Sequence, residues 1–227
     1  MEILDRASPN FGARHGVEGP SLVVLHHTAM ASEEAALARL CDPGPEVSAH
    51  YLIGGDGRIW QLVVEQARAW HAGVSYWRGA RDINSASVGI ELANPAGLCD
   101  FPPFGAAQMA SLEGLLGQIM ARWKIGPDGV LGHSDVAPGR KADPGAKFDW
   151  ARLARSGLAL ARPEVPAGGG DPDRFHEHLA AFGYDISDPE ASLAAFRLRW
   201  RPEALGAPVD RVDAGIAAGL SRWRASS

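Results

Sequence analysis

The chain reads as a mixed α/β protein: a central mixed sheet flanked by helices, followed by a small C-terminal three-helix module. Three observations predict this. Short apolar runs of strand length interleave with helical patterns from residue 21 to about residue 160, and such interleaving places helices on a sheet. The stretch RPEVPAGGGDPD then interrupts the pattern with a Pro/Gly linker that has no periodicity. Beyond it, about fifty residues carry three helical patterns separated by GYDI and RPEALGAPVD. The expected division is therefore 1–161, 162–171 as linker, and 172–227. All the chemistry-bearing motifs precede the linker, so residues 1–161 are expected to stand and work alone.

Taken in order, the first twenty residues are punctuated by Gly and Pro and are expected to wrap the surface. Residues 21–26, SLVVLH, form a buried strand. Ser32 caps a helix over 33–40, where Ala and Leu recur at helical spacing. Strands follow at 48–53 and 59–63, joined by the turn signal GGDGR. Residues 73–84 are a loop carrying Tyr76, Trp77 and Arg78. Residues 87–92, SVGIEL, are the next strand, and 95–104 are irregular. The clearest helix is 106–123, with Met109, Leu112, Leu115, Leu116, Ile119 and Trp123 on one face. A short strand at 130–133 leads into a stiff loop, and a short helix covers 150–156. In the C-terminal module, helices are predicted at 174–182, 189–200 and 210–223.

Composition narrows the partners. A net charge of -5, without a basic block, argues against a general nucleic-acid binder. Nothing approaches the ~18 consecutive apolar residues of a membrane span. The N-terminus lacks the basic and apolar regions of a secretory signal, so the expected location is cytoplasmic, or the envelope if a signal has been trimmed. Cys41 and Cys99 fall in no metal-type spacing and are expected as reduced, structurally minor thiols.

The chemistry gathers in GHSDVAPGRKADPG, residues 132–145. That Pro/Gly-stiffened loop carries His133, Lys141 and Asp143. Imidazole and carboxylate are ligand types that zinc accepts, and a catalytic zinc usually takes three protein ligands with one position left for water. His26, at the end of a buried strand, is the candidate third ligand. His27 follows it directly and points to the opposite face of a regular strand, so the two cannot both reach one ion. Glu91 ends a second apolar strand, where a carboxyl group is costly to bury unless it is used. Two histidines, an aspartate and a non-ligand glutamate are the inventory of a zinc hydrolase. By spacing alone, a His and an Asp on one loop serve turns and caps as readily as a metal.

VVLHHTA, SAHYLI, RIWQLV, AWHAG, SVGIEL, GHSDVAPGRKADPG and FDW occur in this order, and the series resembles the zinc-dependent N-acetylmuramoyl-L-alanine amidases of the AmiD/AmpD type. Phage lysozyme-amidases and peptidoglycan-recognition proteins are relatives of that family. The resemblance is strong over about 18–160 and looser over 172–224. It implies a mixed sheet flanked by helices, a Zn2+ cofactor, and hydrolysis of the amide between N-acetylmuramic acid and the L-alanine of the stem peptide. Substrates would be peptidoglycan or soluble muropeptides, 1,6-anhydro forms included, in cell-wall turnover and recycling. The resemblance assigns His26, His133 and Asp143 as zinc ligands and Glu91 as the acid that activates water. It assigns Lys141, rather than its neighbour Arg140, to the developing oxyanion. His50, His71, Trp77, Arg78, Asn84 and Asn94 are candidate substrate-binding residues. The last helices resemble three-helix peptidoglycan-binding modules, with ASLAAFRLRWRP the strongest part of that match.

Overall fold

The computed structural model describes residues 2–95 and 102–226, so Cys99 and most of the irregular stretch 95–104 lie outside the described residues. Eight strands and eight α-helices are described. The strands are β1 Ile3–Asp5, β2 Phe11–Gly12, β3 Leu22–His27, β4 Tyr51–Ile53, β5 Ile59–Gln61, β6 Arg68–Ala69, β7 Ser87–Leu92 and β8 Val130–Gly132. The helices are α1 Glu33–Cys41, α2 Ile83–Ala86, α3 Ala106–Trp123, α4 His133–Val136, α5 Trp150–Arg155, α6 Phe175–Phe182, α7 Pro189–Trp200 and α8 Arg211–Ser226. Six strands form the main sheet in the order β1-β5-β4-β7-β3-β8, and β2 pairs with β6 in a small second sheet. Only the β4–β5 pair in the main sheet is antiparallel, so the sheet is mixed as expected.

Strands β3 and β7 lie side by side in the interior of the sheet and read as largely apolar runs because both of their faces are covered. One face carries Val23, Leu25, Val88, Ile90 and Leu92 against Met109, Leu112, Leu115, Leu116 and Ile119 of α3, with Leu153 of α5. That apolar stripe, more than helix propensity, holds α3 in place; each such side chain contributes about 1.5–3 kcal/mol when fully buried. The other face carries Leu22 and Val24. Farther along the sheet a third cluster joins Leu52, Trp60 and Leu62 to Ala36 and Leu40 of α1. Ser32 caps α1, its side chain accepting from the Ala35 N–H. In the β4–β5 turn the Gly54 N–H donates to Arg58 O at 2.9 Å. Gly57 holds a φ of 89° there, a conformation that suits glycine.

Two departures from the sequence reading stand out. The first twenty residues do more than wrap the surface: β1 adds a parallel edge strand to β5, and β2 pairs with β6. A strand of three residues with an exposed half leaves no periodicity to detect. The C-terminal helices also pack against the sheet rather than standing apart from it. Phe175, Leu179, Phe182, Tyr184, Phe196 and Trp200 are buried in one cluster with Leu22, Val24, Trp77, Leu131 and Val136. The linker therefore joins two parts of one core, which argues against residues 1–161 standing alone.

Candidate metal centre and groove

The registers of the central strands assemble the site. His26 of β3 is paired with Glu91 of β7, and Leu25 is paired with Gly132 of β8. In parallel strands, paired residues share a face. His26 and Glu91 thus lie side by side, and His133 starts α4 directly beyond Gly132. All three emerge at the carboxyl ends of parallel strands, the edge where α/β sheets open a crevice.

There His26, His133 and Asp143 converge. His26 Nδ1 lies 2.9 Å from His133 Nδ1, and Asp143 Oδ2 lies 3.0 Å from both. The ring tautomers follow from the surrounding hydrogen bonds. His133 Nε2 faces the carbonyl of Ala72 at 3.1 Å, nearer than Arg140 NH2 at 3.4 Å, which favours the tautomer that donates from Nε2. The Ser87 hydroxyl donates to Ile83 O at 2.6 Å, so it accepts from His71 Nε2, 3.2 Å away. His71 Nδ1 then accepts from His26 Nε2 at 3.0 Å. Both Nδ1 atoms are left as lone pairs, facing each other and a carboxylate in a buried site. Three such acceptors repel unless a cation sits among them. A tetrahedral zinc with bonds of about 2.0–2.1 Å would set its donors roughly 3.3 Å apart, close to the triangle observed. The donor set fits a divalent metal.

Glu91 borders the same groove, and its Oε2 has no hydrogen-bond partner. Burial, reinforced by Asp143, pushes its carboxyl up to about 8, with Lys141 opposing. Lys141 is exposed and lines the groove. Arg140 is used elsewhere: its Nε donates to Val74 O at 3.0 Å, and an NH2 donates to Ala72 O. That division separates the two adjacent cations. His27 borders the outer groove but is not in the donor group.

The six candidate substrate residues fare differently, and most are corrected. His71 lines the groove, but its two ring nitrogens link His26 to Ser87, so it orients the His26 ring. His50 is fully buried; Nδ1 accepts from the Gly89 N–H at 2.9 Å and Nε2 faces Ala67 O at 3.1 Å. Trp77 is 1% exposed, its ring edge-on to Phe182 and Tyr184, so no face is open to a sugar. Arg78 donates to Phe182 O at 3.0 Å and pairs with Asp128 at 2.8 Å. Asn84 is buried, and its Oδ1 accepts from the His71 and Ala72 N–H groups, fixing the loop that carries His71. Asn94 is buried and donates to Pro102 O at 3.1 Å. For His50, on a predicted strand, the sequence left a cleft position and a hydrogen-bonded core position equally open; for the others, a loop side chain gives no sign of whether it faces ligand or protein. The sequence reading also missed the groove wall of Met30, Leu40, Val47 and Trp70, and the exposed cation Arg39. Helical spacing places Arg39 on the outward side of α1, the only available signal.

A mixed α/β sheet with a metal-fitting triad and an adjacent carboxyl, one of whose oxygens has no partner, belongs to a hydrolytic class of site. The profile of the N-acetylmuramoyl-L-alanine amidase family matches residues 16–146, more than half of the chain, and the chain belongs to that family of amide hydrolases. N-acetylmuramoyl-L-alanine amidase AmiD of Escherichia coli (strain K12) is 38% identical over 230 residues, covering 88% of this chain and 81% of that protein. The 1,6-anhydro-N-acetylmuramyl-L-alanine amidase AmpD of Citrobacter freundii is 36% identical over 163 residues, 64% of this chain and 85% of that one. Among solved structures, E. coli AmiD in complex with the substrate anhydro-N-acetylmuramic acid-L-Ala-D-gamma-Glu-L-Lys superposes with a TM-score of 0.82 at 36% identity, covering 93% of this chain and 92% of that one. AmpDh3 from Pseudomonas aeruginosa gives a TM-score of 0.80 at 31% identity, covering 96% and 95% of the two chains.

Proposed function

We propose that this protein hydrolyses the amide between the lactyl group of N-acetylmuramic acid, in intact or 1,6-anhydro form, and the L-alanine of the stem peptide. The role is cell-wall turnover and recycling. The observation that carries the reading is the convergence of three lone-pair donors beside a carboxyl with a free oxygen, in one groove. The likeness to AmiD, whose structure holds an anhydromuramyl tripeptide, supports the substrate class.

In this reading His26, His133 and Asp143 hold Zn2+. Held there, the ion would polarise the scissile carbonyl and acidify the attacking water. Glu91 takes the proton from that water and passes it to the alanine nitrogen as the amine leaves. Glu91 needs to be ionised for this role, which a dication held by His26, His133 and Asp143 would favour. Lys141 supplies positive charge where the carbonyl oxygen becomes anionic. Met30, Leu40, Val47 and Trp70 offer an apolar wall to the sugar and peptide, and Arg39 a partner for a stem-peptide carboxylate.

We further propose that the catalytic unit comprises residues 1–161 and the helical unit 172–227, joined through 162–171, with the helical unit serving as a structural part of the enzyme. The expected partners are muropeptides, with no nucleic acid. No helix among the described residues is long and apolar enough to cross a membrane. The test is digestion of purified intact and anhydro-muropeptides side by side, with products identified by mass. Free stem peptide from either is the expected result. Cleavage at another bond, or none, would overturn the assignment.

A further inference from the structure

Asp135 lies two residues beyond His133 and is completely buried. Its carboxylate oxygens gather donors from three parts of the fold. Oδ2 accepts from the Gly132 N–H at 2.8 Å and from Arg199 NH1 of α7 at 2.7 Å. Oδ1 accepts from the Tyr184 hydroxyl. That hydroxyl in turn accepts from Trp200 Nε1 at 3.1 Å, so its own hydrogen is committed to Asp135. The Arg199 guanidinium stacks on two indoles, with its carbon 4.1 Å from the Trp150 ring centroid and 4.5 Å from that of Trp200. Trp150 and Pro144 close over Gly132 so tightly that a Cβ there would meet Pro144 Cδ at 2.9 Å and Trp150 Cζ2 at 3.4 Å. The Ser134 N–H donates to Asp143 O at 2.9 Å, tying the second ligand of the loop to the same frame.

We infer that Arg199 and Tyr184 are positioning residues for the metal centre, acting through Asp135. The inference rests on the reading of His26, His133 and Asp143 as ligands. His26 is set by the sheet and by His71. His133 and Asp143 instead project from a loop whose backbone is pinned by a buried carboxylate. The counter-charge of that carboxylate comes from a helix 64 residues farther along the chain. A ligand set must be held to within about 0.5 Å to bind its ion tightly. Gly132 directly precedes His133, so the Asp135–Gly132 bond sets the start of the turn that aims the imidazole. The C-terminal helices thereby contribute to zinc affinity without touching substrate or ion.

Zinc affinity of the full-length protein, measured by competition with a chelator of known strength, tests this apart from turnover. Tyr184→Phe keeps the ring and removes one hydrogen bond to Asp135; it should weaken zinc binding about tenfold, the scale seen when groups that orient a metal ligand are lost. Arg199→Met should weaken binding further, and Arg199→Lys should recover part of the loss. Phe175→Leu is the control, because it thins the same core without touching the partners of Asp135. It should lower the melting temperature and leave zinc affinity unchanged. If Arg199→Met does not fold, Tyr184→Phe decides. Wild-type affinity in Tyr184→Phe would overturn the inference, as would an equal loss in Phe175→Leu. A wild-type protein with no zinc that His26→Ala removes would overturn the ligand reading itself, and this inference with it.

Discussion

At the residue scale, two neighbouring histidines differ in surroundings because a strand alternates its faces. His26 shares its face with Glu91 and meets His133 and Asp143, whereas His27 does not. His26→Ala is therefore expected to lose zinc and turnover together, and His27→Ala to keep stoichiometric zinc; metal analysis of the two proteins checks this, and the reverse pattern would move the ligand by one residue. Glu91 has a different signature. Its near-isosteric replacement Glu91→Gln cannot accept a proton, so turnover should fall about 10²–10⁴-fold while zinc is retained. The same substitution has a stability consequence in the metal-free protein. Burial raises the folded carboxyl from 4.5 to about 8, so between those pH values the folded state binds a proton that the unfolded state has released. Stability from this group is full below pH 4.5 and is lost progressively up to about pH 8. Zinc-stripped Glu91→Gln should match the wild type below pH 4.5 and exceed it near pH 8 in denaturant midpoint. An equal offset at both pH values would show that Glu91 is not held neutral by burial.

At the scale of elements, β7 does more than carry Glu91. Gly89 leaves room for the His71 ring, and a Cβ at that position would lie 2.5 Å from His71 Cγ. Gly89→Ala suits an extended strand but must displace His71, which accepts from His26 Nε2. Zinc affinity should fall by about tenfold with the fold retained, read by chelator competition alongside circular dichroism; unchanged affinity would mean that His71 does not orient His26. These elements also show what the sequence could and could not reveal. Strands β3 and β7 and helix α3 were legible because long apolar patterns report burial directly. The sequence also pointed to His26, His133, Asp143 and Glu91 together, as strand ends and a Pro/Gly loop, and the structure brings the first three within reach of one ion beside Glu91. Trp77 was misread because an aromatic in a loop packs against Phe182 and Tyr184 as readily as it receives a sugar, and that choice depends on contacts more than a hundred residues away. Asp135 stood in the same motif as His133, but its partners Tyr184 and Arg199 lie beyond the linker, out of reach of local pattern.

At the scale of the whole molecule, the sheet and the C-terminal helices share one core, with the metal loop mounted at their junction. Cutting after Ala161 would expose Trp77 and Val136 and leave Asp135 without its counter-charge. Breaking a buried ion pair alone costs about 3–5 kcal/mol, against a total stability of about 5–15 kcal/mol for a typical protein. Residues 1–161 are therefore expected to be insoluble or unfolded on expression, and a soluble fragment that binds one zinc would show the parts to be separable. The central claim, that a zinc held by His26, His133 and Asp143 lets this fold cleave the lactyl–L-alanine amide, is tested most directly by removing and restoring the metal. The full-length protein is stripped with chelator, supplied with anhydro-N-acetylmuramyl tripeptide, and then titrated with zinc while products are followed by mass. The account predicts no cleavage when stripped, and release of free tripeptide that rises with zinc and levels off at one equivalent. Undiminished release from the stripped protein, or full zinc loading with the amide left intact, would contradict it.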